Sequence, residues 1–398
     1  MVARRAYVER HEVISDLLAA TVGETPWDSS RLAIAEEYAV SHQFPWIVGF
    51  SGGKDSTLVA HLVFEHLLSL PRSARRRPVH IVSNDTLVES PLVVAHIRSV
   101  QEEMRNAAAA FDLPVTVAMT APDHNQTFWV NLIGRGYPSP NRTFRWCTDR
   151  MKIQPTSRYV REQMDAANEV ILLLGVRRDE SAARAGSVAR YDNGERLNRH
   201  NDLHGCWVFR PIVELSTDDV WEFLGSERPP WGGTHARLVK LYRDAGGGEC
   251  PVVTAKSDVP SCGTSSSRFG CWTCTVVDKD RSLAGFVEAG FGEFTPLLDF
   301  RDWLVSIRND PERRLARRRN GRVTIASNGV HVPGPFTLAT RAEIFAKLLA
   351  LQEQVGGQLI RPAEIERIHT LWAEDALVGV ARSVSGERPW VQRGLNAA

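Results

Sequence analysis

The sequence predicts an α/β protein built on a parallel sheet with helices on both faces, and three observations predict it. Short apolar, β-branched runs alternate with stretches of helical periodicity from residue 46 to residue 225. The first run, Trp46-Ile47-Val48-Gly49-Phe50, passes directly into Ser51-Gly52-Gly53-Lys54-Asp55-Ser56-Thr57 and then into the helical pattern Leu58, Val59, Leu62, Val63. That order is strand, glycine loop, helix. Polar clusters close several of the later strands, and it is at such strand ends that open α/β sheets collect their ligands.

Residues 1–45 carry two helical patterns, one at Val8, Val13, Ile14, Leu17 and Leu18, the other at Leu32, Ala35, Tyr38 and Ala39. Residues 46–225 hold the expected sheet, with strands at Ile47–Phe50, Val79–Ser83, Val115–Ala118, Val170–Leu174 and Trp207–Arg210. Helices are expected at 58–70, 92–111 and 156–167, and a further one at 217–224. Residues 226–280 break into loops at Pro229, Pro230, Gly232, Gly233 and the run Gly246-Gly247-Gly248, and they gather four of the six cysteines. Residues 281–398 read as a helical appendage, with patterns at 296–307, 338–354 and 362–377.

A chain of 398 residues needs no metal or disulfide merely to fold, so a metal site in it is expected to be functional. The net charge of +1 offers no global field for nucleic acid. Of 48 basic residues 42 are Arg and 6 are Lys, and the runs Arg75-Arg76-Arg77, Arg313-Arg314 and Arg317-Arg318-Arg319 read first as solvated loops and second as phosphate contacts. No stretch is apolar enough to span a membrane and no leader is legible, so the expected location is the cytoplasm, with no membrane partner. In that compartment six cysteines point to ligands or reactive thiols rather than disulfides.

The glycine loop is suited to phosphate. Gly52 and Gly53 let backbone N–H groups turn toward an anion, Ser51 and Ser56 add hydroxyls, and the next helix brings its positive end. The adjacent glycines exclude the usual nucleotide P-loop, which spaces them by four residues. A carboxylate at Asp55 beside a polyphosphate calls for a cation, so Mg²⁺ is expected there. Cys262, Cys271 and Cys274 form a C-x₈-C-x₂-C array that suits either zinc or an iron–sulfur cluster. Cys206, beside Trp207 in an expected strand, reads as a core residue.

The loop S-G-G-K-D-S resembles the PP-loop of ATP pyrophosphatases, enzymes that cleave ATP between its α- and β-phosphates. Four further strings resemble the sulfonucleotide reductase superfamily in order along the chain: Asn84-Asp85-Thr86-Leu87-Val88-Glu89-Ser90-Pro91, the stretch from Arg145-Trp146-Cys147 to Pro155, Gly175-Val176-Arg177-Arg178-Asp179-Glu180-Ser181 with Arg184, and the stretch from Pro211 to Trp221. Within that superfamily they look closest to the DndC-type sulfurtransferases of bacterial DNA phosphorothioation, with the SspD type a close second.

The resemblance implies an adenine-nucleotide α-hydrolase-like sheet. It implies that ATP is held by Ser51, Gly52, Gly53, Lys54, Asp55 and Ser56, and lined by Asn84, Asp85, Thr86 and Gly175. Catalytic roles fall to Lys54, Asp55, Arg177 and Arg178. A [4Fe–4S] cluster falls to Cys147, Cys262, Cys271 and Cys274, with Cys250 the runner-up for the fourth place; the thiol left out would carry persulfide. The implied activity is adenylation of a DNA phosphate followed by sulfur transfer, with DNA, a cysteine desulfurase and other phosphorothioation proteins as partners. The alternatives are sulfonucleotide reduction, against which the cysteine-free Val391–Ala398 counts, and a non-catalytic iron–sulfur scaffold.

Overall fold

The computed structural model describes residues 25–246 and 269–377, Asn328 excepted. Six strands form one sheet: β1 Trp46–Gly49, β2 Val79–Asn84, β3 Val115–Thr120, β4 Val170–Leu173, β5 Leu197–Arg199 and β6 Cys206–Phe209. Their order is β3-β2-β1-β4-β6-β5, parallel throughout except for β5, which pairs antiparallel with β6 at the edge. The five expected strands stand within two residues of their expected ends. The short β5 was not expected, because Leu197-Asn198-Arg199 has no apolar alternation and is a strand only through its pairing with β6.

Helices cover both faces, as the period of two along each strand requires. Trp46, Val48 and Phe50 pack with Ile34 and Tyr38 of α1 (Asp28–Ala39) and with Leu58 and Leu62 of α2 (Lys54–Ser69). Ile47 points the other way, into a cluster with Val82, Val170, Leu172, Cys206 and Val160 of α4 (Gln154–Ala167). Between them in the chain, α3 (Pro91–Ala110) begins on a proline, whose fixed φ suits the first helical turn. Helix α5 (Ala182–Tyr191) was not among the expected helices; it carries Arg184, whose side chain lies outside what is described. Next, α6 (Thr217–Ser226) opens with a reciprocal cap between Ser216 and Asp219, and α7 (Ala236–Asp244) returns to pack near α3.

The helices after residue 280 are α8 (Arg281–Glu288), α9 (Thr295–Ile307), α10 (Leu338–Val355) and α11 (Pro362–Leu377), with a small hairpin β7 (Thr324–Ile325) and β8 (His331–Val332) between α9 and α10. They do not stand apart from the rest. Phe128, Trp129, Leu132 and Ile133, from the loop after β3, share a core with Trp272, Phe300, Leu304, Ile344, Leu348 and Ile368. Trp272 is buried there against Trp129 and Phe300, which anchors the Cys271–Cys274 segment with about 2–3 kcal/mol of apolar burial. Among the described residues no helix is long and apolar enough to cross a membrane.

The sheet order decides where a ligand fits. From β1 the chain proceeds outward to β2 and β3, then returns to build β4 and β6 on the other side of β1. The carboxyl ends of β1 and β4 therefore flank a topological switch point, the crevice where such sheets bind ligands.

Candidate functional site

The glycine loop leaves β1 into this crevice. Gly52 adopts φ +73°, and a Cβ there would meet Ile97 Cγ1 at 2.5 Å, so glycine is needed both for the turn and for the packing. Ser56, in the first turn of α2, closes the loop: its Oγ accepts from the Ser51 N–H at 3.1 Å and donates to the Gly53 carbonyl at 3.0 Å. Gly175, after β4, touches the same turn. A Cβ on it would lie 2.7 Å from the Asp55 carbonyl carbon and 2.9 Å from Ser56 N. The segment after β4 and the first turn of α2, 120 residues apart by number from Asp55 to Gly175, are thus in backbone contact.

Around them lies a cleft of about 610 Å³ lined by Ser51, Gly53, Lys54, Asp55, Ser56, Asn84, Glu89, Lys152, Gly175, Arg177 and Tyr242, among others. It is of the size and mixed polarity of a nucleotide site. Apolar walls come from Ile47, Val82, Leu172 and Leu174, a surface suited to a flat base. Asn84 Oδ1 accepts from Thr156 Oγ1 at 3.0 Å and from Thr120 Oγ1. Lys54 is buried beside the Asp55 carboxylate (3.5 Å) and 5.6 Å from the Tyr242 ring centre, while its N–H donates to the Tyr242 hydroxyl at 3.2 Å.

The structure separates Arg177 from Arg178. Arg177 is 1% exposed: Nε donates to Asp55 Oδ1 at 2.6 Å, one terminal nitrogen to the Leu215 carbonyl and the Asp179 carboxylate, the other to Thr217 Oγ1 at 3.1 Å. With its guanidinium so engaged it is a positioning residue rather than the catalytic one the resemblance implied. Arg178 faces outward to Asp192 (2.6 Å) and Glu214 (2.8 Å) and does not line the cleft, which corrects its catalytic assignment. One Asp55 carboxylate oxygen is held by Arg177 and the other faces the Lys54 ammonium.

Asp85 and Thr86 also depart from expectation. Asp85 accepts from the Leu87 N–H and from Arg98, and lines a neighbouring groove rather than the cleft. Thr86 is fully buried, and its hydroxyl lies 3.2 Å from Cys271 Sγ and 3.1 Å from Glu89 Oε1. The reason is a bridge: Glu89 pairs antiparallel with Cys271, and the Trp272 N–H donates to the Val88 carbonyl, so this segment turns toward the cysteines.

Cys274 acts electrostatically on both Cys147 and Cys271. Burial pushes the Cys271 thiol well up, aided by the Glu89 carboxylate; burial and Cys274 raise Cys147. Beside Cys271 and Glu89 the Lys152 ammonium is held in its charged form, above its usual range. Thiols in such surroundings ionise when a cationic centre compensates them, which is what an iron–sulfur cluster or a metal supplies. Thiolate donors suit the cluster in kind, and Cys271 and Cys274 stand on one turn, with the Cys274 N–H donating to the Cys271 carbonyl at 3.0 Å. Among the described residues, however, no three His, Cys, Asp or Glu side chains close on a common point, and Cys262 and Cys250 lie outside those residues. Cys206 is in the core, where burial pushes its thiol up to about 12.

Sequence reasoning missed Glu89, Lys152 and Tyr242. The first two stood inside the quoted strings without a role; Tyr242 had no local signal. Glu89 joins the two halves of the site. It lines the nucleotide cleft, pairs with Lys152 Nζ at 3.2 Å, and lies 3.7 Å from Cys271 Sγ.

Comparison with known proteins adds the family. An uncharacterized protein of Methanocaldococcus jannaschii is 24% identical over 187 residues, 47% of this chain and 32% of that protein, so the chain spans about a third of the length of this curated relative. Among solved structures, the U34-tRNA thiolase NcsA of Methanococcus maripaludis with its [4Fe–4S] cluster aligns over 70% of this chain and 78% of its own, with 12% identity and TM-score 0.33. Phosphoadenylyl-sulfate reductase of Candida auris aligns over 54% and 85%, with 15% identity and TM-score 0.30. Candida glabrata FMN adenylyltransferase aligns over 55% and 58%, with 11% identity and TM-score 0.31. The family model of the phosphoadenosine phosphosulfate reductase domain matches residues 45–277, a span that holds the sheet, the glycine loop and Cys147, Cys271 and Cys274. The chain therefore belongs to the phosphoadenosine phosphosulfate reductase domain family.

Proposed function

We propose that the protein is an ATP-dependent sulfurtransferase that adenylates a DNA backbone phosphate, releases pyrophosphate, and helps replace a non-bridging oxygen with sulfur, as in DNA phosphorothioation. The observation that carries this reading is Glu89, one side chain that belongs both to the wall of the nucleotide cleft and to the surroundings of Cys271. Nucleotide activation and sulfur chemistry in adjoining compartments are what such an exchange needs.

ATP would bind as its magnesium complex, the ion carried by the phosphates. A non-bridging oxygen of the DNA phosphate attacks the α-phosphorus; the new P–O–P bond forms as the bond to the β-phosphate breaks. The backbone N–H groups of Gly52 and Gly53, the start of α2 and the Lys54 ammonium offset the charge growing on pyrophosphate. The terminal sulfur of a persulfide, supplied by a cysteine desulfurase, then attacks the activated phosphorus and AMP leaves. A second thiol breaks the remaining S–S bond, becoming oxidised to a disulfide that cellular thiols reduce. An iron–sulfur cluster on Cys147, Cys271, Cys274 and a further cysteine would supply a sulfur- and charge-bearing centre at this wall. Other proteins of a phosphorothioation system would act beside it in the cytoplasm.

The test uses anaerobically purified protein with ATP, duplex DNA, a cysteine desulfurase and cysteine. Expected products are pyrophosphate, AMP and nuclease-resistant phosphorothioate dinucleotides. ADP with orthophosphate refutes the α–β cleavage, and sulfite formed from a sulfonucleotide without DNA moves the protein to the reductase branch.

A further inference from the structure

Between Arg313 and Ala342 the chain carries seven arginines and no aspartate or glutamate, in a protein whose net charge is only +1. Four of the seven are spent on the fold. Arg313 pairs with Asp310 and Glu343, Arg319 and Arg341 share the buried Asp375, and Arg314 donates to the carbonyls of Gly334, Arg308 and Pro333. The other three, Arg317, Arg318 and Arg322, are exposed around the hairpin of β7 and β8 and form no ion pair among the described residues. Arg317 donates only to the Gly321 carbonyl, within its own loop. On the same hairpin Val323, Ile325 and Val330 are 48–59% exposed.

A solvated loop explains unpaired arginines, but it does not explain three apolar side chains held outward among them. We propose that this hairpin is a DNA-docking element, its arginines on backbone phosphates and its apolar side chains against the groove. Three exposed arginines with no ion pair among the described residues, set beside exposed apolar side chains, suit a polyanionic partner. A two-stranded ribbon fits the major groove of B-form DNA, whereas the deep, narrow major groove of A-form RNA does not admit it.

Placement agrees with the site. The base of the hairpin is fixed by bonds from Arg319 to the Arg135 carbonyl and from the Phe336 N–H to the Gly136 carbonyl. The next residue, Tyr137, packs on Trp146 beside Cys147. The proposal takes DNA as acceptor from the functional reading above and adds where it is held.

The experiment is fluorescence anisotropy with the full chain and a labelled B-form duplex over a range of salt. Removing one arginine–phosphate pair lowers the slope of log K against log[salt] by about 0.9. For Arg317→Ala/Arg318→Ala/Arg322→Ala the slope should fall by about 2.7, so between about 50 and 200 mM salt the wild type loses roughly 40-fold more affinity than the variant. Ile325→Ser/Val330→Ser should weaken binding with the slope kept, and Arg318→Glu/Arg322→Glu should abolish it; near-ultraviolet dichroism checks that each variant is folded. Wild-type affinity and slope in the triple variant overturn the proposal, and loss of desulfurase binding in that case assigns the hairpin to a protein. Equal, arginine-dependent binding of duplex RNA overturns the choice of DNA. ATP binding in the absence of DNA should be unchanged in the triple variant. A wild type that binds DNA as described but makes no phosphorothioate retires the functional reading and leaves the docking element standing.

Discussion

Replacing Arg177 by alanine should be the most damaging single change in the cleft. Its side chain is 1% exposed and that of its partner Asp55 is 19% exposed, with Nε and Oδ1 at 2.6 Å, so the pair is shielded from water. Removing one member of a buried pair costs about 3–5 kcal/mol, because the other charge stays behind with its hydration unrestored. Lys54 Nζ, 3.5 Å from the other Asp55 oxygen, offsets part of that and places the expectation at about 3 kcal/mol. At roughly 2 °C per kcal/mol for a chain of this size, the melting temperature should drop by about 6 °C. Pyrophosphate release should fall further than stability does, since Arg177 also ties Thr217 and the Leu215 carbonyl to the turn that shapes the glycine loop. Differential scanning fluorimetry reads the first effect and a coupled pyrophosphate assay the second. The cycle with Asp55→Asn makes the reasoning refutable. The Arg177→Ala/Asp55→Asn double variant should regain much of the lost melting temperature, whereas strictly additive losses, or an alanine variant that melts with the wild type, would show that the pair carries no such energy.

Gly175→Ala forces a Cβ to within 3 Å of three backbone atoms of Asp55 and Ser56, none able to yield, so it should cost about 1–3 kcal/mol and abolish pyrophosphate release, read by the same two assays. Anaerobically purified protein should be brown and contain iron and sulfide. Cys147→Ser, Cys271→Ser and Cys274→Ser should bleach it while Cys206→Ser does not, and a colourless protein with stoichiometric zinc would refute the cluster. Finally, stability should fall in mild acid. Burial, with neighbouring cationic groups, lowers His61 to about 3 and His66, His96 and His235 to about 4, against 6.5 when unfolded. Their contribution is complete above pH 6.5 and is lost as pH falls toward 4, by up to about 1.4 kcal/mol per pH unit for each histidine. Melting temperatures between about pH 7 and pH 5 should drop steeply, and a flat profile there would refute the neutral burial of these rings.

The sheet was legible because its signals are local. A buried parallel strand needs an unbroken apolar run, and a loop that presents its amides to an anion needs small residues between strand and helix; both conditions are written in consecutive residues from Trp46 to Ser56. Cys271 and Cys274 carried their own spacing as a signal. Gly175 was legible through its string, though the reason for it, backbone contact with Asp55, was not.

Tertiary structure alone decided which of two neighbouring residues faces the site. Arg177 and Arg178 are adjacent and chemically identical, and only the path of the chain after β4 sends one to Asp55 and the other to Asp192 and Glu214. Asp85 and Glu89 exchanged expected importance in the same way, because the bridge to Cys271 rotates that segment toward the thiols. Tyr242 reaches the loop from 188 residues away, and the C-terminal helices share their core with Phe128–Ile133. Periodicity reports how a side chain is disposed about its own helix or strand. Which distant surface that side chain then meets follows from how the elements pack once their apolar faces are buried together, and no run of neighbouring residues records that.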